Sequence, residues 1–353
     1  MPVIKSITYN VIIGKESFKT LNSFLTKNKY SSHFIICDEN TMQHCVPILI
    51  TNCLKLKEAD IIELESGEES KSLEFSAHIW QTLIENKADK NSLIINLGGG
   101  VVSDLGGFCA STYKRGIDFI NIPTTLLSMA DASVGGKTGI DFSGLKNSIG
   151  TFAQPKGVFI NSDFLKTLTI RHFKNGLAEV FKIALIADKK FWNELKTQDI
   201  DKNAGLMITK SIALKNKIVL KDPFDNGIRK TLNFGHSIGH AIESLLLGTQ
   251  KELLHGEAIV IGMMIESHIS SQKKQISKKE LKEITFVFKK VFEPKTISHL
   301  NLSSILELLK NDKKNTKNKF QFALINKIGS CKFDVEVSET QIKKALDYYN
   351  KTA

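Results

Sequence analysis

Leu93-Ile94-Ile95-Asn96-Leu97-Gly98-Gly99-Gly100-Val101-Val102-Ser103-Asp104 is a short apolar run that breaks into three glycines and then a helix start. Its length and its glycine stop predict a buried strand rather than a helix. Glycines at such a turn let the backbone approach a pyrophosphate, whose charge the amino end of the following helix favours. The spacing is not Gly-x-Gly-x-x-Gly, so the run points to a phosphate-approaching turn and not to that particular fingerprint.

Other runs of the same kind lie on either side, at 34–37, 61–64, 119–122 and 158–160. Each is short, rich in β-branched residues and bounded by polar residues or glycine. Amphipathic stretches at 18–25, 72–86 and 104–113 lie among them, and residues 1–13 alternate as a short strand or hairpin. Strands alternating with helices predict a mainly parallel sheet covered on both faces.

Polar groups follow the predicted strands. After 119–122 come Pro123-Thr124-Thr125-Leu126-Leu127, then Asp131-Ala-Ser-Val-Gly-Gly-Lys137-Thr138, then Lys146-Asn147. Hydroxyls just past a strand end stand where an α/β sheet binds ligands. Gly-Gly-Lys-Thr has the tail of a phosphate-binding loop without its earlier glycine, which argues against an ATPase.

From about residue 163 the pattern changes to long helical stretches, at 174–187, 204–220, 230–247, 258–271, 278–292 and 303–310. A late hairpin is predicted over 320–325 and 331–337. The fold class is therefore an N-terminal α/β domain with a mainly parallel sheet (1–163), followed by a mainly α-helical C-terminal domain (164–353); the resemblance given below implies dinucleotide binding for the first and metal and substrate binding for the second.

In the helical half, Asn233-Phe-Gly-His236-Ser-Ile-Gly-His240-Ala-Ile-Glu243 puts two imidazoles one turn apart on one helical face, and His255 stands just before the next helical run. Neutral imidazole is the commonest protein ligand for zinc, and three of the chain's nine histidines sit here. A packed or solvated helical surface is the competing reading of such a pair. The Glu-between-histidines pattern of zinc proteases is missing. Glu179 and Lys182 are helical neighbours, and a carboxylate at Glu179 would complete a Glu-His-His set with an open position. Taken singly, Lys215 or Arg229 reads as a solvated charge.

Composition bounds the rest. The 353 residues allow two domains, with ordinary hydrophobic (42%) and charged (24%) fractions. The five cysteines are scattered without a Cys-x-x-Cys pair, so reduced thiols and a cytoplasmic location are expected. A net charge of +11 without aromatic residues among the lysine clusters argues against nucleic acid and leaves an anionic small molecule or merely a lysine-rich lineage. No apolar run has the length of a bilayer span, so no membrane partner is expected.

In chain order, Gly98-Gly-Gly-Val-Val-Ser-Asp104, Arg115-Gly, Pro123-Thr-Thr-Leu-Leu, Asp131-Ala-Ser-Val-Gly-Gly-Lys-Thr-Gly-Ile-Asp141, Lys146-Asn147, Gly176-Leu-Ala-Glu-Val-Phe-Lys182, Asn233 to Glu243, Leu254-His-Gly-Glu257 and Asp312-Lys-Lys314 resemble the motif set of the 3-dehydroquinate synthases, within the sugar-phosphate cyclases. The resemblance spans nearly the whole chain. It implies a phosphate lyase of the shikimate pathway, making 3-dehydroquinate from 3-deoxy-D-arabino-heptulosonate 7-phosphate, with NAD oxidised and reduced within one turnover.

By that resemblance the metal, Zn2+ or Co2+, falls to Glu179, His236 and His255. NAD falls to Asp38, Glu68, Lys71, Gly99, Gly100, Val101, Asp104, Thr124, Thr125, Asp131, Lys137, Lys146 and Thr167. Lys137, Lys146, Asn147, Lys182, Asn233 and His240 are implied as catalytic, and Arg115, Lys215, Arg229 and one of Lys313 or Lys314 as substrate-binding. A homodimer is implied as well. The competing readings are another cyclase, resembling 2-deoxy-scyllo-inosose synthase, and a metal-dependent polyol dehydrogenase, which would have less use for so many cations.

Overall fold

The computed structural model describes residues 2–143, 145–197, 203–310 and 320–352. The chain forms two compact units, Met1–Thr169 with Ala204–Asn216, and Ile170–Asn203 with Lys217–Ala353. A single cut at 163/164 does not reproduce this division. The reason lies in a returning helix: Ser211 Oγ donates to the Ala130 carbonyl (3.1 Å), Lys215 Nζ to the Asp131 carbonyl (2.7 Å) and Asn216 Nδ2 to the Lys5 carbonyl (2.7 Å). Those three bonds tie the segment to the first unit.

The strands of the first unit are β1 (Val3–Lys5), β2 (Asn10–Ile13), β3 (His33–Asp38), β4 (Asp60–Leu64), β5 (Leu93–Gly98), β6 (Asp118–Pro123), β7 (Lys137–Phe142), β8 (Leu145–Phe152) and β9 (Val158–Ile160). Seven of them form one sheet in the order β1-β2-β9-β6-β5-β3-β4, parallel except for the β1–β2 pair. Every residue of β5 is buried, as expected for a parallel strand covered on both faces. The chain runs from β3 out to β4, returns across β3 to β5 and continues out to β6, so its direction reverses between β3 and β5.

Helices α1 (Ser17–Asn28), α2 (Glu39–His44), α3 (Val46–Asn52), α4 (Leu73–Glu85) and α5 (Gly100–Thr112) join these strands. Ile79 and Leu83 of α4 and Leu105 and Phe108 of α5 pack with Phe34, Ile36, Ile62 and Ile94 of the sheet in one core. The antiparallel hairpin β7–β8 is an element the sequence reading did not predict. Its glycines and lysines look like ligand loops, and its apolar residues Phe142, Leu145, Ile149 and Phe152 are exposed.

The second unit contains α6 (Ile170–Ala187), α7 (Lys189–Leu195), the end of α8 (Ala204–Lys221), α9 (His236–Leu246), α10 (His255–Gln272), α11 (Lys278–Phe292), α12 (Leu302–Lys310), the hairpin β10 (Phe320–Lys327) and β11 (Ser330–Val337), and α13 (Glu339–Thr352). Helix α10 is its axis. Ala258-Ile-Val-Ile-Gly-Met-Met-Ile265 is buried throughout, and α10 packs against α6, α9, α11, α13 and β10. A helix apolar on every side must lie inside.

Two expectations in this unit are corrected. The helical stretch over 230–247 is two pieces, a 3-10 turn Ile228–Asn233 and α9, separated at Gly235, where φ is +83°. Helix α10 begins at His255 and not at 258, because Glu257 folds back and accepts the Leu254 N–H at 2.8 Å.

Candidate active site

In the first unit the residues expected at NAD gather at the carboxyl ends of the parallel strands. Asp38 ends β3 and caps α2 by accepting the Thr41 N–H at 2.8 Å. Glu68 and Lys71 follow β4, Gly99 is the N-cap of α5, Gly100 and Val101 open that helix, and Thr124 and Thr125 follow β6. Thr167 closes the 3-10 turn after β9. This is the side of an α/β sheet where ligands bind, next to the reversal of strand order.

One buried lysine ties the group together. Lys71 Nζ lies 2.7 Å from Asp104 Oδ2 and 2.5 Å from Asn147 Oδ1. Burial alone would lower its pKa, but Asp104 and Glu68 outweigh burial and raise it, so its ammonium stays charged. Lys146 Nζ approaches Glu68 Oε1 at 3.6 Å. The Asn147 N–H donates to Asp141 Oδ1 at 2.6 Å, with Asn147 at φ +51°. Lys137 opens β7. Lys215 Nζ meets Asp131 Oδ1 at 2.9 Å, which places the α8 lysine in this unit. Arg115 does not join the group: it follows α5, at the amino end of β6 and the opposite end of the sheet, and is exposed.

The second unit assembles the other cluster from three helices. Glu179 and Lys182 stand one turn apart on α6, His236 opens α9 with His240 one turn on, and His255 opens α10. Glu179 is 1% exposed, and its Oε1 lies 3.6 Å from His236 Nε2 and 3.4 Å from His255 Nε2. Its Oε2 is in ion-pair contact with Lys182. Neither carboxylate oxygen has a hydrogen bond of ordinary geometry, although both are buried. One ring nitrogen from each of His236, His240 and His255 also lies within 4.8 Å of the others, His240 being the most exposed of the three.

These spacings fit a small cation. Tetrahedral zinc bonded at about 2.0–2.2 Å leaves its ligand atoms roughly 3.3–3.6 Å apart, and both Glu179–imidazole separations fall in that range. The backing groups fit too. His236 Nδ1 faces the Phe234 carbonyl at 3.2 Å and His255 Nδ1 faces Glu243 Oε2 at 3.3 Å, the outer partners that orient metal-bound histidines.

Electrostatics agrees. Burial would raise the Glu179 carboxyl, yet Lys182 and His255 hold it well below the usual carboxylate range. Burial, reinforced by the Lys182 charge, keeps His236 neutral. Burial opposes protonation of His255 as well, but Glu179 and Glu243 prevail and push it up to about 9. Glu179 at Nε2 and Glu243 at Nδ1 thus favour positive charge on the His255 ring from its two sides.

Helix α6 also fixes where α10 starts. Arg171 grips Glu257 with Nε and Nη2 at 2.9 and 2.8 Å, and Asn175 Oδ1 accepts the Gly256 N–H at 2.5 Å. Arg229 is buried and donates to the Pro223 carbonyl at 2.6 Å; Asn233 ends the 3-10 turn before α9. Lys313 and Lys314 lie outside the described residues. The sequence reading gave no role to Glu243, two turns from His236 on α9, or to Glu266, a lone carboxylate in the apolar run of α10.

Residues 61–175 match the family described as 3-dehydroquinate synthase N-terminal, and residues 176–315 the one described as 3-dehydroquinate synthase C-terminal. A 3-dehydroquinate synthase from Parabacteroides distasonis is 38% identical over 97% of this chain and 98% of its own. Among solved structures, a 2-deoxy-scyllo-inosose synthase complexed with carbaglucose-6-phosphate, NAD+ and Co2+ superposes with a TM-score of 0.87 at 22% identity, covering 98% of this chain and 99% of the other. The 2-epi-5-epi-valiolone synthase from Streptomyces hygroscopicus subsp. jinggangensis, with NAD+ and Zn2+ bound, gives 0.86 at 23% identity, covering 100% of this chain and 99% of the other.

Proposed function

The chain belongs to the 3-dehydroquinate synthase family, and from that premise we propose how its residues divide the reaction. The enzyme is a phosphate-eliminating lyase that converts 3-deoxy-D-arabino-heptulosonate 7-phosphate into 3-dehydroquinate. The observation that carries the metal assignment is the buried Glu179 carboxylate, set 3.6 and 3.4 Å from two imidazoles on other helices. Glu179, His236 and His255 hold the divalent ion, Zn2+ or Co2+. His240, the more exposed imidazole, is left to face substrate.

Bound there, a divalent ion would supply Lewis acidity toward a substrate alcohol, and NAD would supply reversible hydride acceptance. The chain supplies positioning and charge. Lys182, beside Glu179, and Asn233, ahead of His236, are assigned to substrate hydroxyls and carboxylate together with Lys137, Lys146 and Asn147. Lys215 and Arg229 add the cations that a substrate carrying both phosphate and carboxylate calls for, with Lys313 or Lys314 as the remaining candidate. NAD is assigned to the carboxyl-end residues of the sheet, its pyrophosphate at the amino end of α5, where the Gly99–Gly100 backbone allows close approach. Holding reacting groups in near-attack geometry is worth roughly 7–11 kcal/mol.

Arg115 has no part in this set within its own unit. The exposed apolar side chains of the β7–β8 hairpin support a homodimer. No helix among the described residues is long and apolar enough to cross a membrane, in keeping with the cytoplasmic location we assign.

The test is phosphate release from the heptulosonate phosphate with NAD+ present, before and after the metal is stripped. Release that stops on chelation and returns with Zn2+ or Co2+, without net NADH, supports the proposal. Steady NADH formation from a simple polyol would instead mark a dehydrogenase.

A further inference from the structure

The metal-bearing helix α9 starts without a cap of its own. Its N-cap residue is Gly235, at φ +83°, and the helix has no local side-chain cap. A serine, threonine or aspartate there, the usual solution, is doubly barred: the positive φ disfavours it, and a Cβ would stand 2.4 Å from Met263 Cγ. Gly235 and Ile238 are buried residues, so their N–H groups need an acceptor from elsewhere.

Glu266, on α10, supplies it. Its Oε2 accepts the Gly235 N–H at 2.6 Å and its Oε1 accepts the Ile238 N–H at 3.1 Å. The side chain is 0% exposed. Its surroundings are the buried run from Ala258 to Ile265 on one side and Ser267, Ile269 and Ser270 on the other. Among the described residues the stabilising partners of the carboxylate are the backbone N–H groups of Gly235, Ser237 and Ile238, and no cationic side chain is among them. A buried carboxyl with no countercharge is expensive, and apolar packing of α9 on α10 does not require one.

The bonded N–H groups flank His236. Gly235 precedes it, Ile238 follows in the same turn, and its own Nδ1 is held by the Phe234 carbonyl. One turn back along α10, Gly262 lies so close that a Cβ there would meet the Gly235 carbonyl at 2.0 Å. Helix α10 thus grips the start of α9 at two points one turn apart. We propose that Glu266 is a positioning residue for the metal centre, capping α9 from outside and setting the angle at which His236 presents Nε2 beside Glu179. The proposal rests on the metal assignment above.

The test uses the full chain stripped of metal, as wild type, Glu266→Gln and Glu266→Asp. Co2+ is titrated in while its visible absorption bands are followed, and thermal unfolding of the metal-free proteins is measured in parallel. Glu266→Gln keeps the volume and one acceptor oxygen; its Co2+ affinity is expected to fall about 10–100-fold, the range for loss of an outer partner of a metal ligand, with altered bands. Glu266→Asp keeps the carboxyl group but shortens the reach, and shifts the bands as well. If the variants unfold at lower temperature yet bind Co2+ with wild-type affinity and bands, Glu266 is only a structural cap and the proposal falls. Should Glu266→Asp not fold, Glu266→Gln alone decides. A Glu179→Gln control separates the premise from the proposal: if it binds Co2+ as wild type does, the metal assignment itself is wrong, and the proposal goes with it.

Discussion

Glu179 Oε1 and His255 Nε2 stand 3.4 Å apart although they arise on different helices, α6 and α10. The other ring nitrogen of His255 faces Glu243 on a third helix, α9, at 3.3 Å. The imidazole is thereby held at both ends by buried carboxylates.

Glu179→Gln keeps the volume and removes the charge. Bound metal should drop from one ion per chain to a small fraction, and turnover should fall by more than the roughly 10–100-fold expected for an outer partner. Elemental analysis of the dialysed protein beside a phosphate-release assay checks both; a fully loaded, active variant would contradict the ligand assignment.

Glu243→Gln leaves the donors in place and removes the carboxylate behind His255. Metal affinity should weaken about 10–100-fold, while turnover at saturating Zn2+ recovers most of the wild-type rate. Metal titration with a competing chelator measures the first effect, and the assay at high Zn2+ the second.

Lys71→Ala strips the buried partner from Asp104. Breaking a buried ion pair on one side costs roughly 3–5 kcal/mol, so thermal unfolding should move down by several degrees. NAD+ affinity should fall with it, while metal content stays at the wild-type value because Lys71 belongs to the other compact unit. Calorimetry, NAD+ titration and metal analysis together separate these effects.

His268 stacks on Tyr348 with ring centroids 4.2 Å apart, and its Nδ1 lies 3.0 Å from Gln272 Nε2. Burial lowers its pKa below 6.5. A histidine whose folded pKa is depressed binds its proton more readily when unfolded, so its contribution is complete above about pH 6.5 and is lost as pH falls below that value. His268→Phe keeps the stack and removes the titration. Its urea midpoint should therefore drop less than that of the wild type between pH 7.5 and pH 5.5; equal drops would refute the assignment.

Much of this arrangement was legible in the residues. The apolar runs 34–37, 61–64, 93–97, 119–122 and 158–160 are strands because short β-branched runs ended by glycine or polar residues leave few alternatives, and their order implied the parallel sheet. What escaped depends on tertiary contact. The break at Gly235 hides inside an unbroken helical pattern, since only the approach of Met263 and Glu266 reveals why glycine is needed there. The return of residues 204–216 to the first unit rests on three side-chain bonds that no periodicity records. Glu266 did leave a trace: one acidic residue inside the run Ala258-Ile-Val-Ile-Gly-Met-Met-Ile-Glu266-Ser, where a carboxyl group asks for an explanation.

In the second unit the proposed metal donors, Glu179, His236 and His255, stand on α6, α9 and α10. A nascent chain emerging from the ribosome therefore owns no site until α10 has been synthesised and has docked against its two neighbours. On that donor set, ion uptake follows the synthesis and docking of α10 and is a late event in the biogenesis of this enzyme.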